Sequence, residues 1–476
     1  MRYRTIYALV CLLLLAVTGI QADNLTSPIS LVPCPVSIVP GTGNFHFSAK
    51  TTFAVENEAQ AVEVRQLTAL FTRAAGFTPR IKVGSKKGDI CLVTDAGLKN
   101  ESYKLEITSK RITIHAADAQ GFFYALQSIR QLLPAAIETT PASASASPST
   151  SADIDWTVPA VTITDQPRFG YRGLLVDVAR FFSPKENLLR IIDCMAMLKL
   201  NKLHFHLTDD NGWRIEIKKY PELTEIGSRR VDRPGKSFPD RRNPRQGEPT
   251  VEKGYYTQDE IREIVAYAGE RHIEVIPEIE MPAHSNAALA AYPLLACPVV
   301  NKYIGVLPGL GGENADVIYC AGNDSVFTFL QDVLDEVLEL FPSKYIHLGG
   351  DEARKTHWEA CPLCQARMKE EKLANEEELQ GYFMGRVARY VQGKGREVIG
   401  WDELTNATIP DDFIILGWQK YGEAAVKAAE LGHRFVMTPA RIMYLIRYQG
   451  PQWFEPLTYF CLLYTSPSPR DRQKSR

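Results

Sequence analysis

The stretch Lys344-Tyr-Ile-His-Leu-Gly-Gly-Asp-Glu352 sets two adjacent carboxylates directly after a short apolar run and two glycines. Tyr345 to Leu348 reads as a buried strand. Gly349 and Gly350 permit a tight turn and a close approach by another group. Asp351 and Glu352 then stand at the carboxyl end of that strand, where an α/β barrel does its chemistry. A helix start also favours acidic residues, so this motif alone leaves both readings open. Other strand-like runs end in the same way. One ends Asp177-Val-Ala-Arg180, and the next ends His204-Phe-His-Leu-Thr-Asp-Asp210 with Trp213 following. Then come Glu278-Ile-Glu-Met-Pro-Ala-His284, Gly-Trp401-Asp402-Glu403 and Leu-Gly-Trp418. Helix capping accounts for one or two such ends. So many in a row favour a polar pocket floored by carboxylates and walled by tryptophans. Such a pocket suits sugars, whose C–H faces stack on rings while their hydroxyls bond to acids and arginine.

The elements that must position these residues alternate from Arg172 onward. Strand patterns cover Gly173–Val178, Lys202–Leu207, Glu274–Glu280, Tyr345–Leu348, Glu397–Trp401, Phe413–Trp418 and Phe435–Met437. Helical patterns cover Lys185–Lys199, Asp259–Arg271, Ser325–Leu340, Glu376–Val391 and Gly422–Leu431. This alternation predicts a parallel sheet and, over this length, an α/β fold of the (β/α)8 TIM barrel type across 166–460. A doubly wound sheet is the runner-up. Only seven strands are found, and an eighth is needed to close a barrel. The segment 461–476 is basic and rich in Pro and Ser, not strand-like. The barrel is therefore expected to be C-terminally incomplete, with sheet edges open to aggregation.

Upstream, 24–134 predicts a smaller α+β domain. Its strands are Thr51–Val55, Ile90–Thr94, Tyr103–Ile107 and Ile112–Ala116, and its helices Ala59–Gly76 and Ala119–Leu132. No catalytic constellation is found in it. A Ser/Pro/Ala-rich linker and lead-in occupies 135–165. The basic, then apolar, start over 1–22 predicts a signal peptide and export to the periplasm or the extracellular space. No later apolar run is long enough for a membrane span. A net charge of −2 gives no basic surface for nucleic acid. Nine cysteines are scattered along the chain. Cys361-Pro-Leu-Cys364 is the close pair. No second pair or histidines at ligand spacing follow it, so it predicts a local disulfide or two free thiols and no zinc.

Taken together, the motifs resemble the β-N-acetylhexosaminidases of glycoside hydrolase family 20. They are Leu175-Val-Asp-Val-Ala-Arg180, His204-Phe-His-Leu-Thr-Asp-Asp210 with Gly212-Trp213, Pro277-Glu-Ile-Glu-Met-Pro-Ala-His284, His347-Leu-Gly-Gly-Asp-Glu352 and Gly400-Trp-Asp-Glu403. The resemblance implies an exo-acting hydrolase that releases terminal β-linked N-acetylglucosamine or N-acetylgalactosamine, with no cofactor and no metal. It implies Glu352 as proton donor and Asp351 as the residue that steers the substrate's own acetamido group into attack. It also implies Arg180 on sugar hydroxyls, Asp209 and His284 as a relay behind the acid, and Trp401, Trp418 and Tyr444 around the acetamido group. Where the family has an Asp two residues after the Tyr, this chain has Ile446. Two rival readings remain. One is a catalytically inactive sugar-binding homologue with a truncated barrel. The other is a metal-dependent barrel hydrolase built on His204 and His206, whose i, i+2 spacing puts both on one strand face.

Overall fold

The computed structural model of the chain describes residues 29–139, 154–448 and 460–461. The expected signal peptide, the Ser/Pro/Ala-rich run 140–153 and the tail beyond 461 lie outside the described residues. The chain forms two compact units, Met1–Arg172 with Asp193–Leu200, and Gly173–Ile192 with Asn201–Arg476. No helix of the described residues is long and apolar enough to cross a membrane.

Among the described residues the first unit is a seven-stranded mixed sheet with two α-helices, α1 (Glu58–Ala75) and α2 (Ala119–Leu132). Its strands are β1 (Ser37–His46), β2 (Thr52–Val55), β3 (Arg80–Val83), β4 (Ile90–Thr94), β5 (Tyr103–Ile107), β6 (Ile112–Ala116) and β7 (Thr157–Asp165), in the order β1-β7-β5-β6-β4-β2-β3. Helix α1 (Glu58–Ala75) starts where the Asn57 side chain accepts the Gln60 N–H, and ends at Gly76 with φ 71°. That glycine is the stop its sequence position suggests. The assignment of 157–165 to a linker is corrected. This segment alternates apolar and polar residues from Val161 onward and pairs antiparallel with β1 on one side and β5 on the other. Pro159 hides the strand, because proline cannot donate to a ladder. The chain tolerates it because pairing with β5 covers only Val161 to Asp165, and its partner on the β1 side, Asn44, stands at a register shift in that ladder.

The second unit carries seven parallel strands: β8 (Gly173–Asp177), β9 (Lys202–His206), β10 (Glu274–Met281), β11 (Tyr345–Gly349), β12 (Glu397–Trp401), β13 (Ile414–Gly417) and β14 (Arg434–Met437). Each lies beside its predecessor in sequence, the order of a (β/α) barrel. Helices α3 (Lys185–Met197), α4 (Gln258–Gly269), α5 (Asp324–Leu340), α6 (Glu376–Gly393) and α7 (Glu423–Glu430) fall where expected. The inner strands are buried almost throughout, as continuous apolar runs covered on both faces should be. The outer two are not. Leu175 on β8 and Phe435 on β14 are 40% and 43% exposed. Among the described residues no strand joins β8 to β14.

Candidate active site

The carboxyl ends of β8 to β13 converge on one polar cluster. Its centre is His284, three residues past β10, with φ 47°. Its Nε2 lies 3.3 Å from Asp351 Oδ2 and 3.4 Å from Glu352 Oε2. Its Nδ1 lies 3.2 Å from Asp210 Oδ2 and 3.5 Å from Asp209 Oδ1. One imidazole therefore joins the acids that end β11 to the acids that follow β9. Burial disfavours the charged ring, but Asp209 and Asp351 outweigh it and hold the His284 pKa well above the usual histidine value. Burial likewise raises the Asp351 carboxyl, and the cationic His284 more than reverses this, so Asp351 stays below its ordinary value.

Exposure separates the two adjacent acids. The Asp351 side chain is 15% exposed and that of Glu352 58%. Glu352 has φ 48° and Gly350 φ 102°. This run of left-handed backbone turns the second carboxyl out of the strand line. Gly349 is needed for space: a Cβ there would sit 1.9 Å from Glu280 Oε2. The group that approaches Gly349 is thus the protein's own buried acid, and that against Gly350 is Leu404.

Arg180 reaches the cluster from the end of β8. It donates to Asp177 Oδ2 at 2.8 Å and pairs with Asp209 Oδ2 at 2.8 Å. Burial disfavours its charge, yet Asp209 and Asp177 hold it protonated. The arginine is thus a structural ion pair that still leaves 32% of its side chain open. Its backbone is pinned by two residues the sequence did not single out. Arg230 donates to the Arg180 carbonyl at 2.7 Å, and fully buried Arg214 donates to the Ala179 carbonyl at 2.9 Å. Gly212 makes room for Arg214, whose guanidinium would lie 2.1 Å from a Cβ.

Beneath this layer Glu278, fully buried, takes contacts from four side chains. Trp401 Nε1 donates to Oε1 at 2.8 Å, and His347 Nδ1 lies 2.9 Å from the same oxygen. His204 Nε2 lies 2.9 Å from Oε2, and His206 Nδ1 also meets that oxygen. His204 and His206 do share a face, as their spacing requires. Of the three imidazoles, His206 is hydrogen-bonded to the carboxylate, whereas His204 and His347 meet it as close charge contacts, the His347 Nδ1 also accepting the Gly349 N–H at 3.1 Å. Burial lowers the His206 pKa, but Glu278 and Asp177 lift it to about 10. Burial raises the Glu278 carboxyl, and His347, then His206, bring it well below the usual glutamate value.

The expected walls divide. Trp401 is only 5% exposed and belongs to the floor, where it binds Glu278. Trp418 is half-buried and stacks on Tyr444, with ring centroids 6.3 Å apart and planes inclined 18°. Its Nε1 donates to Glu403 Oε2 at 3.0 Å. Asp402 accepts the Gln419 N–H at 3.1 Å and fixes the end of β13. Burial, then the Asp351 charge, push the Tyr444 hydroxyl up and the Glu403 carboxyl up to about 8. Tyr444 thus lies within the field of Asp351. Ile446 is 60% exposed. Sequence reasoning did not give site roles to Asp210, Glu278 or Glu403. Each sits inside a quoted motif, so adjacency to the chosen residues was the available signal.

The family model described as "Glycosyl hydrolase family 20, catalytic domain" matches residues 169–471. That described as "Glycosyl hydrolase family 20, domain 2" matches residues 28–166. A beta-hexosaminidase of Porphyromonas gingivalis is 39% identical over 458 residues, covering 94% of this chain and 55% of that protein. One of Vibrio furnissii is 34% identical, covering 88% and 64%. The chain thus spans a little over half to two thirds of the length of these relatives. The crystal structure of a beta-N-acetylhexosaminidase from Bacteroides fragilis aligns with TM-score 0.72 and 32% identity, over 89% of this chain and 78% of that one. A GH20 exo beta-N-acetylglucosaminidase from Vibrio harveyi in complex with N-acetylglucosamine aligns with TM-score 0.76 and 29% identity, over 94% and 68%.

Proposed function

The chain belongs to glycosyl hydrolase family 20, and on that premise we propose that it releases terminal β-linked N-acetylglucosamine or N-acetylgalactosamine by substrate-assisted, retaining hydrolysis. One observation carries this reading: the half-buried Asp351 and the exposed Glu352 are adjacent residues gathered by a single imidazole nitrogen. Most retaining glycosidases instead place a nucleophilic carboxylate and an acid on opposite sides of the scissile bond. Here the substrate's acetamido oxygen supplies the nucleophile. It attacks the anomeric carbon as the glycosidic C–O bond breaks, and Glu352 gives its proton to the leaving oxygen. Asp351, held anionic by His284, accepts the acetamido N–H and stabilises the positive charge of the resulting oxazolinium. Water then attacks the anomeric carbon and loses a proton to Glu352, which restores the acetamido group.

Arg180 presents its open face to sugar hydroxyls, for which a planar guanidinium is well shaped. Trp418 and Tyr444 form the wall against the acetamido methyl, with Trp401 behind them. The His284 link to Asp209 and Asp210 keeps the imidazole charged and fixed in place. The test compares an aryl N-acetyl-β-glucosaminide with the matching aryl β-glucoside. Turnover of the first alone is expected; equal rates on the 2-hydroxy sugar overturn self-attack by the substrate. The exposed Ile446, where relatives bring a carboxylate, favours a second reading of sugar binding without hydrolysis. Saturable N-acetylglucosamine binding with no aryl glucosaminide turnover would support it.

A further inference from the structure

Away from these acids, four cysteines meet that lie far apart in sequence. Cys297 follows the short helix Asn286–Ala291, Cys320 precedes α5, and Cys361 and Cys364 open the helix Pro362–Glu371. All four are buried and none is in a disulfide. Their sulfurs all lie within 4.8 Å of one another. Sγ–Sγ distances are 3.7 Å for Cys297–Cys364, for Cys320–Cys361 and for Cys320–Cys364.

These distances discriminate between chemistries. A disulfide needs sulfurs about 2.05 Å apart in exclusive pairs. Here Cys320 and Cys364 each approach two partners equally, so no pairing is singled out. A tetrahedron of thiolates about 2.3 Å from a central zinc has edges of about 3.8 Å. We propose that Cys297, Cys320, Cys361 and Cys364 form a structural tetrathiolate zinc site. Binding forms four Zn–S bonds and releases four thiol protons, with no change of oxidation state.

The surroundings are built for thiolates. Cys361 is the N-cap of Pro362–Glu371 and Cys364 lies in its first turn, at the positive end of the helix dipole. The turn packs directly on Gly322, where a Cβ would sit 2.1 Å from the Leu363 carbonyl carbon. The bridge Ala296↔Tyr319 and the Cys320 N–H bond to the Leu295 carbonyl at 2.9 Å hold the two earlier ligands side by side.

The site also braces the catalytic loops. The Tyr319 N–H bonds to the Pro282 carbonyl at 3.0 Å, two residues before His284. Trp358 Nε1 bonds to the Tyr319 carbonyl at 2.9 Å, on the segment that leads from Glu352 to Cys361. A zinc ion would therefore tie the loop carrying His284 to the loop carrying Glu352.

The test measures metal content of the full chain, purified without chelator or reductant after growth in zinc-replete medium. The expected result is about one zinc per chain, with all four cysteines alkylated without reductant once the denatured protein is chelated. Cys364→Ser should lose the metal and melt earlier, whereas Cys364→His should keep it, since three thiolates and one imidazole also bind zinc. Tetrahedral tetrathiolate bands on cobalt exchange into the parent protein give a readout independent of activity. Less than about a tenth of an equivalent of zinc overturns the proposal, whether the cysteines are recovered as thiols or as disulfide-linked peptides. Stoichiometric iron in its place overturns the identity of the ion.

Discussion

Two layers of histidine and carboxylate stand on the same strands, and they differ in how far they are closed to solvent. In the lower layer Glu278 meets Trp401, His347, His204 and His206, and all five side chains are closed to solvent. In the upper layer His284 spreads over four carboxylates at 3.2–3.5 Å, and Glu352 faces solvent. A network closed to solvent on every side can specify a structure but is out of reach of a substrate. One whose acid faces solvent can take a ligand. Residue types do not distinguish the layers, since both hold His and Glu at strand ends. Depth does.

The largest effect expected belongs to the upper layer. Glu352→Gln should lower kcat by about 10²–10⁴-fold with the aryl glucosaminide KM and the melting temperature little changed. Retention of parental kcat would break the division of labour between the layers. Glu278→Gln should do the reverse. Removing the anion beneath three imidazoles should cost about 3–5 kcal/mol, read from the urea midpoint. An unchanged midpoint would show that the floor is not a structural element.

The pH dependence of stability sharpens the comparison from the buried side. Glu280 lies between the layers, and neither oxygen has a hydrogen-bond partner among the described residues. Burial, then Asp351 and Glu278, push its carboxyl well above the ordinary 4.5. The folded state therefore holds a proton that the unfolded chain releases near 4.5. That contribution is complete below 4.5 and is lost as pH rises towards the folded value. His284, raised above 6.5, acts in the same direction at higher pH. Stability should thus fall as pH rises above 4.5 for the carboxyl and above 6.5 for the imidazole, by up to about 1.4 kcal/mol per pH unit for each group. Glu280→Gln should flatten this slope. An unaltered profile would assign the effect elsewhere. The smallest effect is expected from Trp401→Phe, which keeps the ring and removes one donor from Glu278. A loss of about 1–3 kcal/mol with kcat nearly unchanged would place this tryptophan with the floor. A selective rise in KM would place it with the wall.

The chain by itself determined which segments become barrel strands and where each one ends. Buried parallel strands are local signals, apolar runs bounded by polar residues, and all seven begin and end within one residue of expectation. It also fixed the adjacency of Asp351 and Glu352 and the presence of Arg180, Asp209 and His284 at neighbouring strand ends. Tertiary structure alone decided that Trp401 is buried and Trp418 only half-buried, because Trp401 is drawn inward by a glutamate 123 residues away. It turned the stretch 157–165 into a strand, since its partners β1 and β5 precede it at a distance. And it supplied Cys361 and Cys364 with two further thiols from earlier loops, which no search for ligands following the pair could find. Local pattern sets how each segment folds; only the path of the chain sets which side chains meet.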